Sequence, residues 1–212
     1  MNDFQKQVHT DKVVVYLAPL PSKLPSKLDN LFPPLRNDVI LSCKNDKSKR
    51  EKYFVWKLLE RCFFDVFNKK MENLCFSRSK NGKWLCTENY YFSLSHSNSI
   101  LAVAVSLYPV GVDILHLTHQ FSHTLENRLL CQNEKNILNS LPFSQKNEFL
   151  ASVWAKKEAQ FKKIDGEKTL FSVDTTTCSF FCDDLLFSSE RYFLRVATDY
   201  PESVSVLFLD EF

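Results

Sequence analysis

Two long amphipathic segments constrain the fold of this 212-residue chain more than any other feature. In residues 49–68, and again in residues 144–164, apolar side chains recur at the three- and four-residue spacing of one helix face. Each segment follows a short apolar run and precedes further runs of that kind, so each half of the chain has the order strand, helix, strands. This order predicts an α+β fold.

Turn and cap residues bound the individual elements. Ser144 is the expected N-terminal cap of the second long helix, and Gly166 is its expected stop. Asp199, Tyr200 and Pro201 are expected to form the turn of a C-terminal hairpin. The remaining expectations are a strand over 12–18, a loop to about residue 46, strands over 90–94, 100–108 and 110–115, helical structure over 124–138, and hairpin strands over 192–198 and 203–209.

Composition predicts a folded protein and excludes several functional classes. The apolar share is 44%, and nineteen Phe residues supply material for a packed core. Only three Gly residues occur, and no Gly-rich phosphate loop of the Walker or dinucleotide type is present, so side chains must bind any phosphate. The formal net charge of +2 is too small to predict nucleic-acid binding by itself.

Cysteine usage and hydropathy indicate the compartment. The seven cysteines form no C-x-x-C pair, and an odd number does not suit a closed disulfide framework, so we expect reduced thiols. The first ten residues contain no apolar signal segment, and no run approaches the roughly 20 apolar residues that span a bilayer. The sequence therefore predicts a cytoplasmic protein without a membrane partner.

Two acids occupy unusual places in this pattern. Asp113 lies between two β-branched residues, where an ionised carboxylate that is buried and unpaired costs several kcal/mol. Glu158 follows Trp154 by four residues and precedes Phe161 by three, which places it on or beside the apolar helix face. Two carboxylates from separate segments would suit Mg²⁺. The alternatives are an edge-strand Asp that faces water and an ordinary surface pair between Glu158 and Lys162.

Other polar groups have an ordinary explanation beside a functional one. Ser95 and His96 end a strand at a turn, where they either donate to a phosphate or serve the turn. The basic run at 44–52 either clamps an anion or forms a solvated helix start. His116, His119 and His123 have a spacing that superficially resembles a zinc site, but neither a Cys pair nor an H-E-x-x-H arrangement supports zinc.

Three motifs, taken in order, resemble those of the surfactin-synthetase-type 4′-phosphopantetheinyl transferases. They are FSLSHS at 92–97, GVDI at 111–114 and WAKKEAQFK at 154–162. The resemblance extends weakly to KREK at 49–52 and to Gly82-Lys83. It implies a pseudo-dimer of two similar α/β lobes, each a small antiparallel sheet packed on a long helix, with the active site in the cleft between them. We assign the lobes to residues 1–110 and 111–212 and expect a monomer.

The resemblance also implies an activity. The 4′-phosphopantetheine arm of coenzyme A would pass to a serine of an apo acyl or peptidyl carrier protein, leaving adenosine 3′,5′-bisphosphate. Asp113 and Glu158 would bind Mg²⁺, and Glu158, or a water that it orients, would take the serine proton. Lys162 and Lys157 would stabilise phosphate oxygens. The positions that match nucleotide-phosphate contacts of the family are Lys49, Lys52, Lys83, Ser95 and His96.

Three departures from the family pattern keep alternatives open. Leu115 stands where many members have a second acid, Trp84 replaces a usual Pro, and Asn98 stands where Gly often follows. The residue at 115 motivates one alternative, a catalytically weak relative that binds coenzyme A or a carrier protein without turnover. The other alternative is a nucleic-acid binder built on residues 44–52, although the segment after that patch becomes apolar.

Overall fold

The computed structural model describes residues 12–28, 31, 33–117, 121–167 and 169–210. His119 and the side chain of His123, two members of the rejected zinc set, lie outside this description. The elements in chain order are β1 (Val13–Pro19), α1 (Leu35–Leu41), α2 (Asp46–Phe67), β2 (Phe76–Arg78), β3 (Trp84–Cys86), β4 (Tyr91–Ser97), β5 (Ile100–Ser106), β6 (Gly111–His116), α3 (His123–Leu129), α4 (Gln132–Ser140), α5 (Phe143–Lys163), β7 (Phe180–Phe187), β8 (Glu190–Ala197) and β9 (Val204–Phe208).

Most of these elements lie where the sequence predicts them. The first strand, the long helix over 49–68 and the strands around residues 90–115 are confirmed to within a few residues. The loop expected up to residue 46 is wrong in part, because it contains α1. The helical stretch expected over 124–138 is two helices, α3 and α4, and Glu134 caps the second by accepting the Cys131 N–H at 2.9 Å.

The N-terminal end of α5 differs from the expectation, and its C-terminal end agrees with it. The helix begins at Phe143 after Pro142, and no side chain caps it, so Ser144 lies inside the first turn and is not the cap. The helix ends at Lys163, and Asp165 and Gly166 then adopt φ values of +52° and +68°. This left-handed backbone terminates the helix close to the predicted stop.

The expected C-terminal hairpin is wrong. β9 pairs in parallel with β1, whereas β8 lies between β6 and β7. The hairpin partner of β8 is β7, across a turn at Ser188 and Ser189, which both have positive φ. Side-chain alternation identifies a strand without identifying its neighbour. Two serines at positive φ also give a weaker hairpin signal than Asn-Gly does.

Three strands of each main sheet are connected in the same way, and β9 is an additional strand in the first sheet. The strand orders are β4-β5-β1-β9 and β6-β8-β7, and β2 and β3 form a separate pair. In each half of the chain a strand is followed by a long helix and then by a hairpin. The first strand pairs with the second strand of that hairpin, β1 with β5 and β6 with β8. The α+β class is therefore confirmed, whereas the boundary at residue 110 and the pseudo-dimeric lobes stay predictions.

Apolar side chains pack on both faces of β1. On one face of β1, Val14 and Tyr16 pack with Trp56 of α2, while Val13 on the other face belongs to a core that contains Val112 and Ile114 of β6. Side chains alternate along a strand, so Asp113 lies on the opposite face of β6 from its two neighbours. The face that remains for it is the one that α5 covers.

Two further features concern the whole described chain. All seven cysteines lie in the described ranges, and none of them forms a disulfide. Among the helices of those ranges, none has the length and apolar content needed to cross a membrane.

Candidate active site

Asp113 and Lys162 form the centre of the site. Asp113 is 7% exposed, and its Oδ1 accepts a hydrogen bond from the Lys162 ammonium at 2.7 Å. The same ammonium donates to the carbonyl of Val112 at 3.1 Å and to Oγ of Ser95 at 3.3 Å. The buried carboxylate therefore has the cation that its burial demands. The alternative of an Asp that faces water is wrong.

Glu158 lies one helical turn before Lys162 on α5. Its side chain is half-buried, and burial raises the pKa of the carboxyl, with Asp113 adding to the rise and Lys162 opposing it. Within the described part of the chain, Glu158 makes neither a hydrogen bond nor a close ion pair, because the Lys162 ammonium contacts Asp113 instead. The alternative of an ordinary Glu158–Lys162 surface pair is therefore wrong.

The two acids fit a hard divalent cation. Hydrogen bonds from Ser95 and Lys162 reach only one oxygen of Asp113, and Glu158 is a half-buried carboxylate that another carboxylate destabilises. A cation held by both acids would relieve that repulsion, and Mg²⁺ commonly uses one or two carboxylates with waters and phosphates. Leu115, two residues beyond Asp113 on the same strand face, supplies no ligand.

A second acidic group does not suit a metal ion. Cys131, Glu134 and Asp174 have ligand atoms within 4.8 Å of one another. The buried Glu134 carboxylate already accepts hydrogen bonds from Thr175 and is paired with Lys157 at 2.9 Å. Both oxygens of Glu134 are therefore occupied, Oε1 by Thr175 and Oε2 by Lys157 and the Cys131 N–H, whereas Oδ2 of Asp113 receives neither of the donors that bind its Oδ1.

Lys157 lies apart from the other candidate residues. Its side chain is completely buried, pairs with Glu134 and donates to the backbone carbonyl of Val173. It is five residues before Lys162 on α5, a rotation of about 140° around the helix axis. The implied contact between Lys157 and phosphate oxygens does not fit this position, because the ammonium is buried and already paired. We assign Lys157 to the packing of α5.

Lys83 reaches the site from the loop between β2 and β3. Its ammonium donates to the backbone carbonyl of Lys162 at 2.6 Å, close to the end of α5. Burial lowers the pKa of Lys83. In the same loop, Ser79 donates to the Asp165 carboxylate at 3.0 Å. The loop is thus attached to the C-terminal end of the helix that carries Glu158.

The start of α2 approaches the site through His96. The Nδ1 atom of His96 is 3.7 Å from the carboxylate of Glu51, which lies between Lys49 and Lys52 on α2. Burial, with Lys162 and Lys47 acting in the same direction, lowers the pKa of this half-exposed imidazole, although Glu51 and Asp113 oppose that effect. Lys49 and Lys52 are partly exposed and lie on either side of this contact in the sequence.

An open cavity of about 260 Å³ lies beside this cluster. Its walls come from the β2–β3 loop, from β4 and from the end of α5. Aromatic rings of Trp84, Phe92 and Phe161 line it together with Lys83 and Lys162. An aromatic wall with two ammonium groups suits a flat heterocycle that carries phosphate.

Gly111 permits the close approach of α5 to β6. A Cβ atom at this position would lie 1.9 Å from the backbone oxygen of Ala159 and 2.6 Å from the backbone nitrogen of Lys163. Both atoms are helix backbone, which cannot rotate away as a side chain can. The glycine therefore brings the helix against the strand that carries Asp113, and this contact sets the Asp113–Lys162 distance.

We expect Gly111→Ala to lower the free energy of unfolding by about 3 kcal/mol and to reduce any activity of the site, because α5 must move away from β6. Urea unfolding measures the first effect. Gly82→Ala is the stability control, because its added Cβ meets nothing within 4 Å and only the positive φ of 83° is strained. That strain costs about 1 kcal/mol. Equal losses in the two variants would contradict the close-contact explanation.

Two features of the site were not predicted from the sequence. Glu51 lies inside a basic run that gave no reason to single out one acid. Ser93 and Ser97, which flank Ser95 at alternate positions of β4, accept hydrogen bonds from the N–H groups of Val112 and His116, each at 2.9 Å. The repeat of serine at every second residue was visible in the sequence and is the signal that would have found them.

Comparison with known proteins finds one similar family and two similar proteins. A family model described as the 4′-phosphopantetheinyl transferase superfamily matches residues 109–204. The chain is 29% identical to 4′-phosphopantetheinyl transferase gsp of Aneurinibacillus migulanus over 114 residues, which are 50% of this chain and 45% of that protein. It is 26% identical to 4′-phosphopantetheinyl transferase psf-1 of Bacillus pumilus over 122 residues, 57% of this chain and 52% of that protein.

The chain thus spans about half the length of each relative. The matched residues contain both acids of the site and Lys162. The resemblance that the three motifs suggest is confirmed. Residues 109–204, which hold Asp113, Glu158 and Lys162, are thus similar to the 4′-phosphopantetheinyl transferase superfamily.

Proposed function

We propose that this protein transfers the 4′-phosphopantetheine group of coenzyme A to a serine of an apo acyl or peptidyl carrier protein. The observation that carries the proposal is the arrangement of Asp113, Lys162 and Glu158 beside an open, aromatic-lined cavity. In the transfer, the serine oxygen forms a bond to the β-phosphorus of coenzyme A. The bond from that phosphorus to the bridging oxygen breaks, and adenosine 3′,5′-bisphosphate leaves with the electron pair.

The chain's own residues bind and orient the donor. The adenine ring would occupy the cavity against Trp84 and Phe161, with Lys83 beside the phosphates. His96 lies against Glu51 at the start of α2, which is between Lys49 and Lys52 in the sequence. His96 and these two lysines would suit the 3′-phosphate, whose charge would raise the pKa of the imidazole. Mg²⁺, held by Asp113 and Glu158, would neutralise charge on the pyrophosphate.

Glu158 is the group that we propose takes the serine proton. Its raised pKa makes it a better proton acceptor than an ordinary exposed carboxylate. Within the described chain no donor occupies its oxygens, so it is able to accept the proton directly or through a water. Lys162 pairs with Asp113, and its positive charge opposes the rise in the pKa of Glu158.

The proposal includes an architecture and a setting. The two sheets would be the halves of a pseudo-dimer, residues 1–110 and 111–212, with the cavity in the cleft between them. β9 then crosses from the second half to pair with β1 of the first. We further propose a cytoplasmic monomer whose partners are coenzyme A and the carrier protein, with neither nucleic acid nor membrane involved.

Intact-mass spectrometry tests the proposal. Several apo carrier proteins are incubated with the full chain, coenzyme A and Mg²⁺, and each carrier is weighed. We expect a mass gain of one phosphopantetheine group that needs the divalent cation and disappears when the carrier serine is replaced by Ala. A chelator control separates metal dependence from loss of the enzyme. The absence of a gain on every carrier would contradict the proposal.

Leu115 is an observation that favours a second candidate function. Leu115 removes an acidic ligand that many family members have, which favours a weak relative that binds coenzyme A or a carrier without turnover. Calorimetric titration with coenzyme A separates the two proposals. Binding of coenzyme A without any mass gain on the carriers would favour the weak relative, whereas a mass gain with turnover would exclude it.

A further inference from the structure

We propose that Ser95 is a positioning residue for Asp113 and not a phosphate ligand. Its hydroxyl lies between β4 and β6, where it contacts the carboxylate, the Lys162 ammonium and a backbone N–H at the same time. This inference rests on the proposed function, because it concerns the carboxylate that would hold the metal. It departs from the phosphate contact that the family resemblance implies for this residue.

The hydrogen-bonding capacity of the Ser95 hydroxyl is fully used. A serine hydroxyl has one donor and two acceptor lone pairs. The donor goes to Oδ1 of Asp113 at 2.8 Å. The acceptors take the N–H of Ile114 at 3.2 Å and the ammonium of Lys162 at 3.3 Å. Ser95 is 6% exposed, so a phosphate would have to break one of these bonds and enter a buried position.

The neighbouring serines show what is particular about Ser95. We call Ser93, Ser95 and Ser97 the serine row. Each accepts one N–H from β6, so the row replaces a backbone ladder along the line where the two sheets meet. Ser95 is the member of the row that also contacts Asp113. It therefore connects the register of the two sheets to the orientation of one carboxylate.

The hydroxyl also fixes which oxygen Lys162 meets. Ser95 and the Lys162 ammonium converge on the same Oδ1 atom, at 2.8 Å and 2.7 Å. Two donors on one oxygen leave Oδ2 without either of them. A carboxylate held in this way presents one oxygen outward for a cation and keeps the other for the protein. Loss of the serine donor would release the rotation of the carboxylate about its last side-chain bond.

The first test needs no activity. Amide hydrogen exchange, resolved by residue with NMR, is compared in the wild type, Ser95→Ala and Ser97→Ala. We expect Ser95→Ala to accelerate exchange at Ile114, and Ser97→Ala to accelerate exchange at His116. Because each variant loses one hydrogen bond between β4 and β6, we expect both melting temperatures to fall by about 2–4 °C. Unchanged exchange at Ile114 in Ser95→Ala would overturn the proposal.

The second test separates positioning from phosphate binding. Mn²⁺ affinity in the presence of coenzyme A, without carrier protein, is measured by water proton relaxation, and metal-free affinity for adenosine 3′,5′-bisphosphate by calorimetry. We expect Ser95→Ala to weaken Mn²⁺ binding about 10–100-fold and to change nucleotide affinity by less than about threefold. Ser97→Ala should change neither affinity. Ser95→Thr, which keeps the hydroxyl, should restore Mn²⁺ affinity at least in part.

The outcomes distinguish this inference from the proposed function. Weakened nucleotide binding with unchanged Mn²⁺ affinity in Ser95→Ala would make Ser95 a phosphate ligand and overturn the inference alone. A wild-type protein that binds neither Mn²⁺ nor coenzyme A would overturn the proposed function. In that case unchanged exchange at Ile114 in Ser95→Ala would still overturn the inference.

Discussion

Replacing Glu158 by Gln is expected to abolish phosphopantetheine transfer while making the protein more stable at neutral pH. The substitution removes the proposed metal-binding charge and the proposed proton acceptor but keeps the shape of the side chain. A bound cation contributes several kcal/mol to such a transition state. The rate should therefore fall by about 1000-fold or more.

The gain in stability follows from the direction of the Glu158 pKa. Burial raises this pKa in the folded protein above its value in the unfolded chain. The group therefore stabilises the fold below its unfolded pKa, near 4.3, and that contribution is lost as the pH rises through the raised folded pKa. At pH 8 the wild type contains a disfavoured charge that Gln does not have. Glu158→Gln should unfold at a higher temperature there, and the difference should vanish below about pH 4.

Two measurements check this prediction. The transfer rate is followed by carrier mass, and thermal unfolding is recorded at pH 4 and pH 8 with a chelator present. Glu202→Gln is the matched control, since Glu202 is an exposed acid that is not part of the site. It should change neither the transfer rate nor the unfolding temperature. A variant that loses transfer and also loses stability at pH 8 would show that Glu158 is a structural residue.

Lys157→Met is expected to lower the free energy of unfolding by about 3–5 kcal/mol, the typical cost of removing one partner from a buried ion pair. The substitution leaves the Glu134 carboxylate charged and completely buried. Burial alone would raise the pKa of Glu134, but hydrogen bonds from Thr175 and Cys131, together with Lys157, outweigh it and lower that pKa. Without the ammonium, this carboxylate must either stay charged at a high cost or take up a proton.

Urea unfolding of two further variants tests the assignment of Lys157 to packing. Lys156→Met is the matched control, because the ammonium of Lys156 lies 5.7 Å from the ring centre of Phe180 and forms no buried pair. It should cost less than about 1 kcal/mol. The double variant Lys157→Met with Glu134→Leu should recover much of the loss. Similar losses for Lys156→Met and Lys157→Met would show that the buried pair contributes little.

Sequence patterns predicted the elements better than their partners. The spacing of apolar residues identified α2 and α5, and β-branched runs identified β1 and β5, because these signals are local. The same signals gave β8 and β9 as strands but wrongly as a hairpin. Which strand lies beside which depends on buried surfaces that are far apart in the sequence, so β9 pairs with β1 across almost the whole chain.

The candidate site shows the same division. The sequence itself determined that Asp113 needs a partner and that Glu158 lies at the edge of an apolar face, since strand and helix periods fix those positions. Only the tertiary structure decided that Lys162 pairs with Asp113 and that Lys157 is buried against Glu134. It also decided that the hydroxyl of Ser95 donates its hydrogen bond to Asp113. A lysine on a helix has several acids within reach of its long side chain, and the packing of α5 on Gly111 selects one of them.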